Sequence, residues 1–368
     1  MTDLTHAYAV VLAGGYGERF WPASTAAKPK QLLSLLGDRT MLEMAVDRLE
    51  GLIPVERVLV LTSEDLVAPT QAATPGLPEG NVIGEPMRRD TAAAVALAAA
   101  VVKARDPEGV FCIVTADHVM GELDLFRSTL ASGLELAAAE DVLITIGITP
   151  RHPATGYGYI RAVDTFGPSG DIEFRTVDRF VEKPDRPTAQ GYVDSGEFWW
   201  NSGMFIWSVA AVQGAFAAHR PELSAFIDAL VPSVDGPDFA AALSAGFEPL
   251  EKISIDYALM ERADNIVMAV GTFAWDDVGS WPAVGDHLES DDAGNAIRGD
   301  VEALDATNNI VVSEGTGADG RVTALIGVTD LIVVHTDTAT LIVPKERAED
   351  VKKLVSKLRE DPTRTDLV

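Results

Sequence analysis

Three groups of glycine and charged residues follow apolar runs closely, at positions where a sheet edge would present them. The first is LAGGYGERFWP, followed by KPKQLL at Lys28–Leu33. Gly14, Gly15 and Gly17 let the backbone turn tightly and aim N–H groups at an anion. Arg19 can add a two-pronged guanidinium and Lys30 a point charge on phosphate oxygens. No Gly-Lys-Ser/Thr follows, so this is not a Walker loop, and Pro22 stands where a dinucleotide-binding helix would run. The second group is TADH, with Asp117 and His118, together with AWDDVGSW at Ala274–Trp281. A strand-end carboxylate suits Mg²⁺, which takes one or two protein carboxylates and leaves the rest to phosphate and water. Asp277 could approach the same ion, and Asp276 is the weaker candidate. The competing role for Asp117 is to cap the next helix. The third group is TGYGYI, VEKP and WNSGMF. Glu182 and Asn201 could accept from and donate to sugar hydroxyls, with Gly156, Gly158 and Gly203 allowing close approach and Lys183 taking a phosphate. Taken alone, WNSGMF reads more readily as a simple turn.

The elements that must hold these residues read as α/β. Ala7–Ala13, Arg57–Thr62, Val110–Thr115 and Val142–Ile148 are short apolar runs bounded by turn residues, hence buried strands. Helices are expected at Met41–Leu49, Thr91–Arg105 and Leu123–Ala139, the last two rich in alanine. Such alternation predicts a Rossmann-like, mostly parallel sheet flanked by helices, with ligands beyond the carboxyl ends of its strands. Thr155–Val209 reads as strands and loops with a short helix near Ala189–Val193. Helical stretches follow at Ala210–Ala217, Glu222–Leu230, Ala240–Ala245 and Ile255–Arg262, then a strand into the Trp275–Trp281 turn. Five short β-type runs from Ala296 to Val343 and an amphipathic helix, Glu346–Leu358, suggest a small C-terminal β domain. No hexapeptide repeat long enough for a full β-helix is evident. The expected division is a catalytic domain over 1–287 and the β domain with its helix over 288–368.

Composition narrows the partners. The 368 residues carry 29 Lys and Arg against 56 Asp and Glu, a net charge of −27. That argues against nucleic acid or an acidic membrane as partner. A single cysteine, Cys112, excludes an internal disulfide, and the six histidines show no zinc spacing. No N-terminal targeting segment or bilayer-spanning run is evident, so a cytoplasmic protein is expected. Only nine of the basic residues are lysines, and Lys28, Lys30 and Lys183 fall within the motifs above.

GGYGERFWP with KPKQL, GEPMRRDTA, TADH, TGYGYI, VEKP, WNSGMF, ISIDYALME and WDDVGSW stand in the order found in the sugar-1-phosphate nucleotidyltransferases. The chain most resembles the mannose-1-phosphate guanylyltransferases among them, strongly over 1–287 and more weakly to about 360. The DTAAA stretch after Arg89 lacks a proline that family carries there. No cupin domain follows, so no isomerase activity is implied.

The resemblance implies a GT-A-like nucleotidyltransferase fold and transfer of GMP from GTP to mannose 1-phosphate, giving GDP-mannose and pyrophosphate with Mg²⁺. It assigns Arg19 and Lys30 to the triphosphate, Asp117 and Asp277 to the metal, Lys183 to the sugar phosphate, and Gly156, Glu182 and Asn201 to mannose. The implied nucleotide set is Leu12, Ala13, Gly14, Gly15, Gly17, Glu18, Arg19, Lys30, Glu85, Pro86, Thr91, Ala92 and Asp117. The sugar-phosphate set is Gly156, Tyr157, Gly158, Glu182, Lys183, Asn201 and Gly203, and a homodimer is expected. Another sugar or base, or a catalytically silent nucleotide-sugar sensor, are the alternatives. Glu85 stands where related uridylyl- and thymidylyltransferases carry glutamine. An ionised carboxylate accepts both guanine N1–H and the N2 amino group. The plainer alternative is a solvated loop glutamate.

Overall fold

The computed structural model describes residues 4–167, 171–313 and 322–368. Residues 1–3, within the N-terminal stretch read above, and 314–321, among the C-terminal β runs, lie outside the described residues. The strands are β1 (Ala7–Leu12), β2 (Val58–Ser63), β3 (Val82–Glu85), β4 (Val110–Thr115), β5 (Val119–Met120), β6 (Leu143–Ile148), β7 (Tyr159–Thr165), β8 (Phe174–Val181), β9 (Phe198–Ser208), β10 (Ile266–Gly271), β11 (Trp275–Asp276), β12 (Ala296–Arg298), β13 (Val301–Leu304), β14 (Ile310–Ser313), β15 (Thr323–Ile326), β16 (Leu331–His335) and β17 (Thr340–Pro344). The chain folds into two compact units. One comprises Met1–Gly14, Ala45–Ala116 and Met120–Trp275, the other Gly15–Met44, Asp117–Val119 and Asp276–Val368.

The first unit is built on a nine-stranded sheet in the order β3-β2-β1-β4-β9-β6-β10-β8-β7. Pairing is parallel from β3 to β4 and again between β6 and β10. β9 runs antiparallel to both β4 and β6. It follows loop-linked strands and the helix Arg186–Ser195, not a strand–helix–strand crossover, so its direction is free to reverse. The four strands expected in the first 150 residues form within a residue of their limits, and β3 joins them at the sheet edge. The helix Asp90–Arg105 is buried continuously from Ala92 to Val102. Its seven alanines in that span let it pack closely on all sides, which a one-faced amphipathic helix cannot do. The stretch expected to be helical over Ile255–Arg262 is helical over a shorter span, as a π-helical turn, Asp256–Met260.

The second unit has its own core. Phe20, Trp21, Leu33, Leu35, Trp281, Ile310, Ile332, Val351 and Val355 cluster in it. The Phe20 and Trp281 rings meet edge to face at 5.4 Å, and the Trp281 indole N–H donates to the Trp21 carbonyl at 3.3 Å. Truncating Trp281, fully buried here, should cost ~3–5 kcal/mol. The C-terminal strands stack in parallel, β12-β14-β16 and β13-β15, with β17 antiparallel on β16. Six strands form among the described residues, against five expected, and they make a short β-helix. The partners Ala296, Ile310 and Ile332 lie fourteen and then twenty-two residues apart, so no hexad period is visible. Buried asparagines mark the stacking instead: Asn309 Nδ2 donates to Asn295 Oδ1 at 2.8 Å, and Leu331 N to Asn309 Oδ1 at 2.9 Å. Among the described residues no helix is long and apolar enough to cross a membrane.

Candidate active site

In the second unit the glycine-rich loop closes onto a lysine. Gly17 has φ +62°, and a Cβ there would fall 2.5 Å from Lys30 Cβ, so only glycine fits. A single 3₁₀ turn, Glu18–Phe20, follows. Lys30 is 5% exposed, and its ammonium donates to Asp117 Oδ2 at 3.0 Å and to the Asp277 backbone carbonyl at 2.7 Å. It also lies 5.5 Å from the Phe20 ring centroid. A buried ammonium requires such partners. Asp117 caps no helix, because the next helix begins at Leu123. Burial opposes ionisation of its carboxyl, but Lys30 and then His118, 3.8 Å away, hold it below the ordinary range. It is therefore a carboxylate at neutral pH.

The WDDVGSW loop uses its two acids differently. Asp276 Oδ1 accepts from Val278 N at 2.7 Å, and Oδ2 lies 3.0 Å from His287 Nε2. Burial raises its carboxyl, but the His287 bond and charge, the Val278 N–H and Lys30 together hold it below the ordinary range. Asp276 is thus a clamp on the loop. Asp277 contributes its carbonyl to Lys30, and a Cβ at Gly279 would press to 3.0 Å from its carboxylate. Arg19 departs from the expectation of a waiting phosphate ligand. Its Nε donates to Glu349 Oε2 at 2.7 Å, while Glu18 Oε1 lies 2.6 Å from Arg359 Nη1. The C-terminal helical segment, which reads from sequence only as an amphipathic helix, supplies both partners.

Among the described residues no set of three or more His, Cys, Asp and Glu side chains is arranged to hold a metal. Zinc-type ligation is not built here. Two aspartates, one of them ionised beside Lys30, still fit a hard divalent cation whose remaining ligands are phosphate and water.

The first unit holds the other candidates. Ala13, just past Leu12 of β1, donates to Leu61 O at 2.8 Å and accepts from Thr62 Oγ1 at 3.1 Å, which pins the exit from β1. A Cβ at Gly14 would meet nothing within 4 Å. Glu85 is the last residue of β3, in register with Ser63, and half-buried, so it is not a solvated loop residue. Burial pushes its carboxyl up to about 7, against a lowering by Arg88. Pro86 follows it. Thr91 Oγ1 accepts from Ile255 N at 2.8 Å, and Ala92 N donates to Ile253 O at 3.2 Å. Both positions thus tie the alanine-rich helix to the segment carrying Asp256.

The sugar candidates converge. Trp200–Phe205 lies inside β9, so WNSGMF is strand and not a turn, with Gly203 at φ +71° where the register to β6 shifts. Asn201 is 9% exposed; its backbone N–H donates to Gly158 O at 2.8 Å. Its Oδ1 accepts from Thr145 Oγ1 at 3.0 Å and Gly203 N at 3.3 Å, and its Nδ2 donates to Asp256 Oδ1 at 3.1 Å. The Glu182 side chain is 8% exposed and bonded to the Lys183 ammonium. Desolvation would lower Lys183, but Glu182 outweighs it and raises the ammonium above its usual range. A Cβ at Gly158 would fall 2.6 Å from Glu182 Oε2, whereas Gly156 faces open space. The Tyr157 carbonyl accepts from Lys183 N at 3.2 Å, and its ring packs against Trp200 and Trp275 at 5.1 and 5.3 Å. Asp256 is the member that sequence reasoning left without a role. A lone acid in the apolar run ISIDYALM was the available signal.

The structure brings together Lys30, Asp117 and the Asp277 carbonyl in one unit, and Glu182, Lys183, Asn201 and Asp256 in the other. The nucleotidyl transferase profile matches residues 8–292. The chain belongs to the nucleotidyl transferase family. A second profile, the mannose-phosphate isomerase/GMP-like β-helix domain, matches 299–358, in agreement with the stacked strands. Mannose-1-phosphate guanylyltransferase of Escherichia coli K12 is 38% identical over 361 residues, 96% of this chain and 74% of that protein. The Salmonella typhimurium protein of the same name is 39% identical over 364 residues, 97% of this chain and 74% of its own. A crystal structure described as mannose-1-phosphate geranyltransferase from Thermus thermophilus superposes with a TM-score of 0.83 at 34% identity, covering 96% of this chain and 99% of that one. Members of the family generally use a divalent metal.

Proposed function

We propose that the chain transfers GMP from GTP to α-D-mannose 1-phosphate, releasing pyrophosphate and forming GDP-mannose. The observation that carries this reading is the Glu182–Lys183–Asn201 pocket, which offers carboxylate, amide and ammonium to a phosphorylated polyol. It occurs in a chain that matches guanylyltransferases of mannose 1-phosphate along nearly all its length.

A phosphate oxygen of mannose 1-phosphate attacks the α-phosphorus in line. The new P–O bond forms as the bond to the bridging oxygen breaks, and pyrophosphate leaves with the electron pair. The attacking phosphate is already anionic, so no side chain needs to take a proton. Catalysis is then positioning and charge neutralisation. Lys30, fixed by Asp117 and the Asp277 carbonyl, meets the triphosphate, and Arg19 joins it by exchanging Glu349 for phosphate. The glycine backbone at Gly14, Gly15 and Gly17 adds N–H donors. Lys183 holds the sugar phosphate, Glu182 and Asn201 its hydroxyls, and Glu85, Pro86, Thr91 and Ala92 line the base. Mg²⁺ held by Asp117 and Asp277 would neutralise phosphate charge, offsetting the net −27 of the chain.

This assignment takes 1–287 as the catalytic domain and 288–368 as its β-helical companion, acting in the cytoplasm as a homodimer. Leu304 and Ile326, register partners on β13 and β15, are 60% and 69% exposed, which supports a protein partner for that face. Pyrophosphate release tests the function directly. It is expected with GTP, mannose 1-phosphate and Mg²⁺ together, and to fall sharply without metal. Faster release with UTP or dTTP and glucose 1-phosphate would replace this sugar and base, and no release with any pair would favour a sensor.

A further inference from the structure

The Asn201 amide cannot serve a ligand as freely as its motif suggests. Its oxygen already accepts two bonds, from Thr145 and Gly203, and one Nδ2 hydrogen is committed to Asp256. That fixes the amide's orientation and leaves Asn201 at most one donor and no easy acceptor. A sugar's hydroxyls need acceptors, and the pocket concentrates them elsewhere. Asp256 is positioned at the start of its π-helical turn, with Ser254 and Tyr257 beside it on the same segment. Facing it from the end of β8 are Glu182 and Lys183. Glu261, one turn on, accepts from Glu182 N at 3.4 Å. Two carboxyl groups, Glu182 and Asp256, therefore act on one ammonium with Glu261 close by, and no metal-holding set occurs among the described residues. Hydroxyl donors are the ligand groups that such an acid-rich pocket lacks.

We propose that Asp256 determines sugar specificity: its carboxyl, aimed by Asn201 and set beside Glu182, accepts a hydrogen bond from a ring hydroxyl of the sugar 1-phosphate. The inference rests on the sugar-phosphate reading of this pocket but not on which sugar or base is used. It carries a signature that a merely structural aspartate would not. Burial, and then the Glu182 charge, push the Asp256 carboxyl up to about 7, while Lys183 works against them. An ionised carboxylate is a stronger acceptor than a protonated one, so sugar-phosphate binding should tighten as pH rises through neutrality.

The test uses the full chain and whichever nucleotide and sugar 1-phosphate pair it turns over fastest, so an error in the substrate identity does not disable it. In Asp256→Asn the KM for the sugar phosphate should rise at least tenfold while that for the nucleotide moves less than twofold. The parent's KM for the sugar phosphate should fall several-fold from pH 6 to 8 by more than the substrate's own phosphate ionisation explains. The variant should retain only the substrate's share. Discrimination between sugar 1-phosphates epimeric at one carbon should also flatten. Asp256→Glu, which keeps an ionisable acceptor, should recover part of the affinity and the pH limb, and it guards against a folding defect in the asparagine variant. Unchanged sugar-phosphate KM and pH dependence in Asp256→Asn, or equal losses for both substrates, would overturn the proposal.

Discussion

Two polar clusters in this chain solve opposite problems. Around Lys30 the charges are matched inside the protein: Asp117 and the Asp277 carbonyl take the ammonium, Glu349 takes Arg19, and Arg359 takes Glu18. Around Asp256 they are not matched, because Glu182 and Asp256 share one lysine while Glu261 stands close by. The difference appears in the acids themselves. Asp117 is held below its ordinary range, whereas Asp256 is pushed up to about 7. A matched cluster takes an anion only by exchanging partners, and a metal helps by adding charge. An unmatched acidic cluster is suited to neutral donors such as hydroxyls.

The largest expected effect breaks the matched side. Asp117→Ala and Asp277→Ala should each lower kcat by about 10²-fold or more, the scale of a lost electrostatic contact in a dry site. Residual activity should need more Mg²⁺, and circular dichroism should report an intact fold. Near-normal turnover in both variants would remove the shared metal role.

A pH titration of stability sharpens the contrast. A carboxyl raised in the folded state contributes stability below its unfolded value, and that stability is lost as pH climbs through the folded one. Glu85 and Asp256, both at about 7, should therefore destabilise the protein between about pH 4.5 and 8. Asp117 and Asp276, both lowered, contribute stability that disappears only as pH falls below the usual carboxylate range. Thermal melts of Glu85→Gln and Asp256→Asn should gain on the order of 2 °C or more relative to the parent at pH 8 and nothing at pH 4.5. Parallel melting curves across that range would contradict the assignment of the raised acids.

A smaller effect concerns the base. An ionised Glu85 accepts two donors from guanine, and ITP lacks only the N2 amino group. GTP should be preferred over ITP by about tenfold, within the range of one lost charged hydrogen bond. The preference should grow from pH 6 to 8 and shrink in Glu85→Gln. No distinction in the parent, with GTP kinetics intact in Glu85→Gln, would mean that Glu85 does not read the base. The smallest effect is at Arg19. Its pair with Glu349 is exposed and weak, so Glu349→Gln should lower the KM for GTP by less than about threefold, measurable at low ionic strength and fading with salt.

The same contrast explains what the sequence revealed. Asp117 and Asp277 stand just past apolar runs and Lys30 lies in the KPKQL motif of a chain that uses few lysines, so local pattern pointed to them, and the strands before the two acids read from hydrophobicity. Glu182, Lys183 and Asn201 were visible as motifs, but the fate of the Asn201 amide depends on Thr145 and Asp256, 56 and 55 residues away. Long-range partners of that kind leave no spacing to read. The same holds for Glu349 and Arg359, which look like ordinary charges of an amphipathic helix until the fold returns them to Arg19 and Glu18. The β-helix escaped for a different reason: its coils are of unequal length, so stacked Asn295 and Asn309 replaced a countable repeat.

The central claim is that the two lysines serve different anions. Two-substrate kinetics on Lys30→Ala and Lys183→Ala test it most directly. The account predicts that Lys183→Ala chiefly raises the KM for mannose 1-phosphate, while Lys30→Ala chiefly lowers kcat by slowing departure of pyrophosphate and leaves that KM within about twofold. Identical defects in the two variants would contradict it.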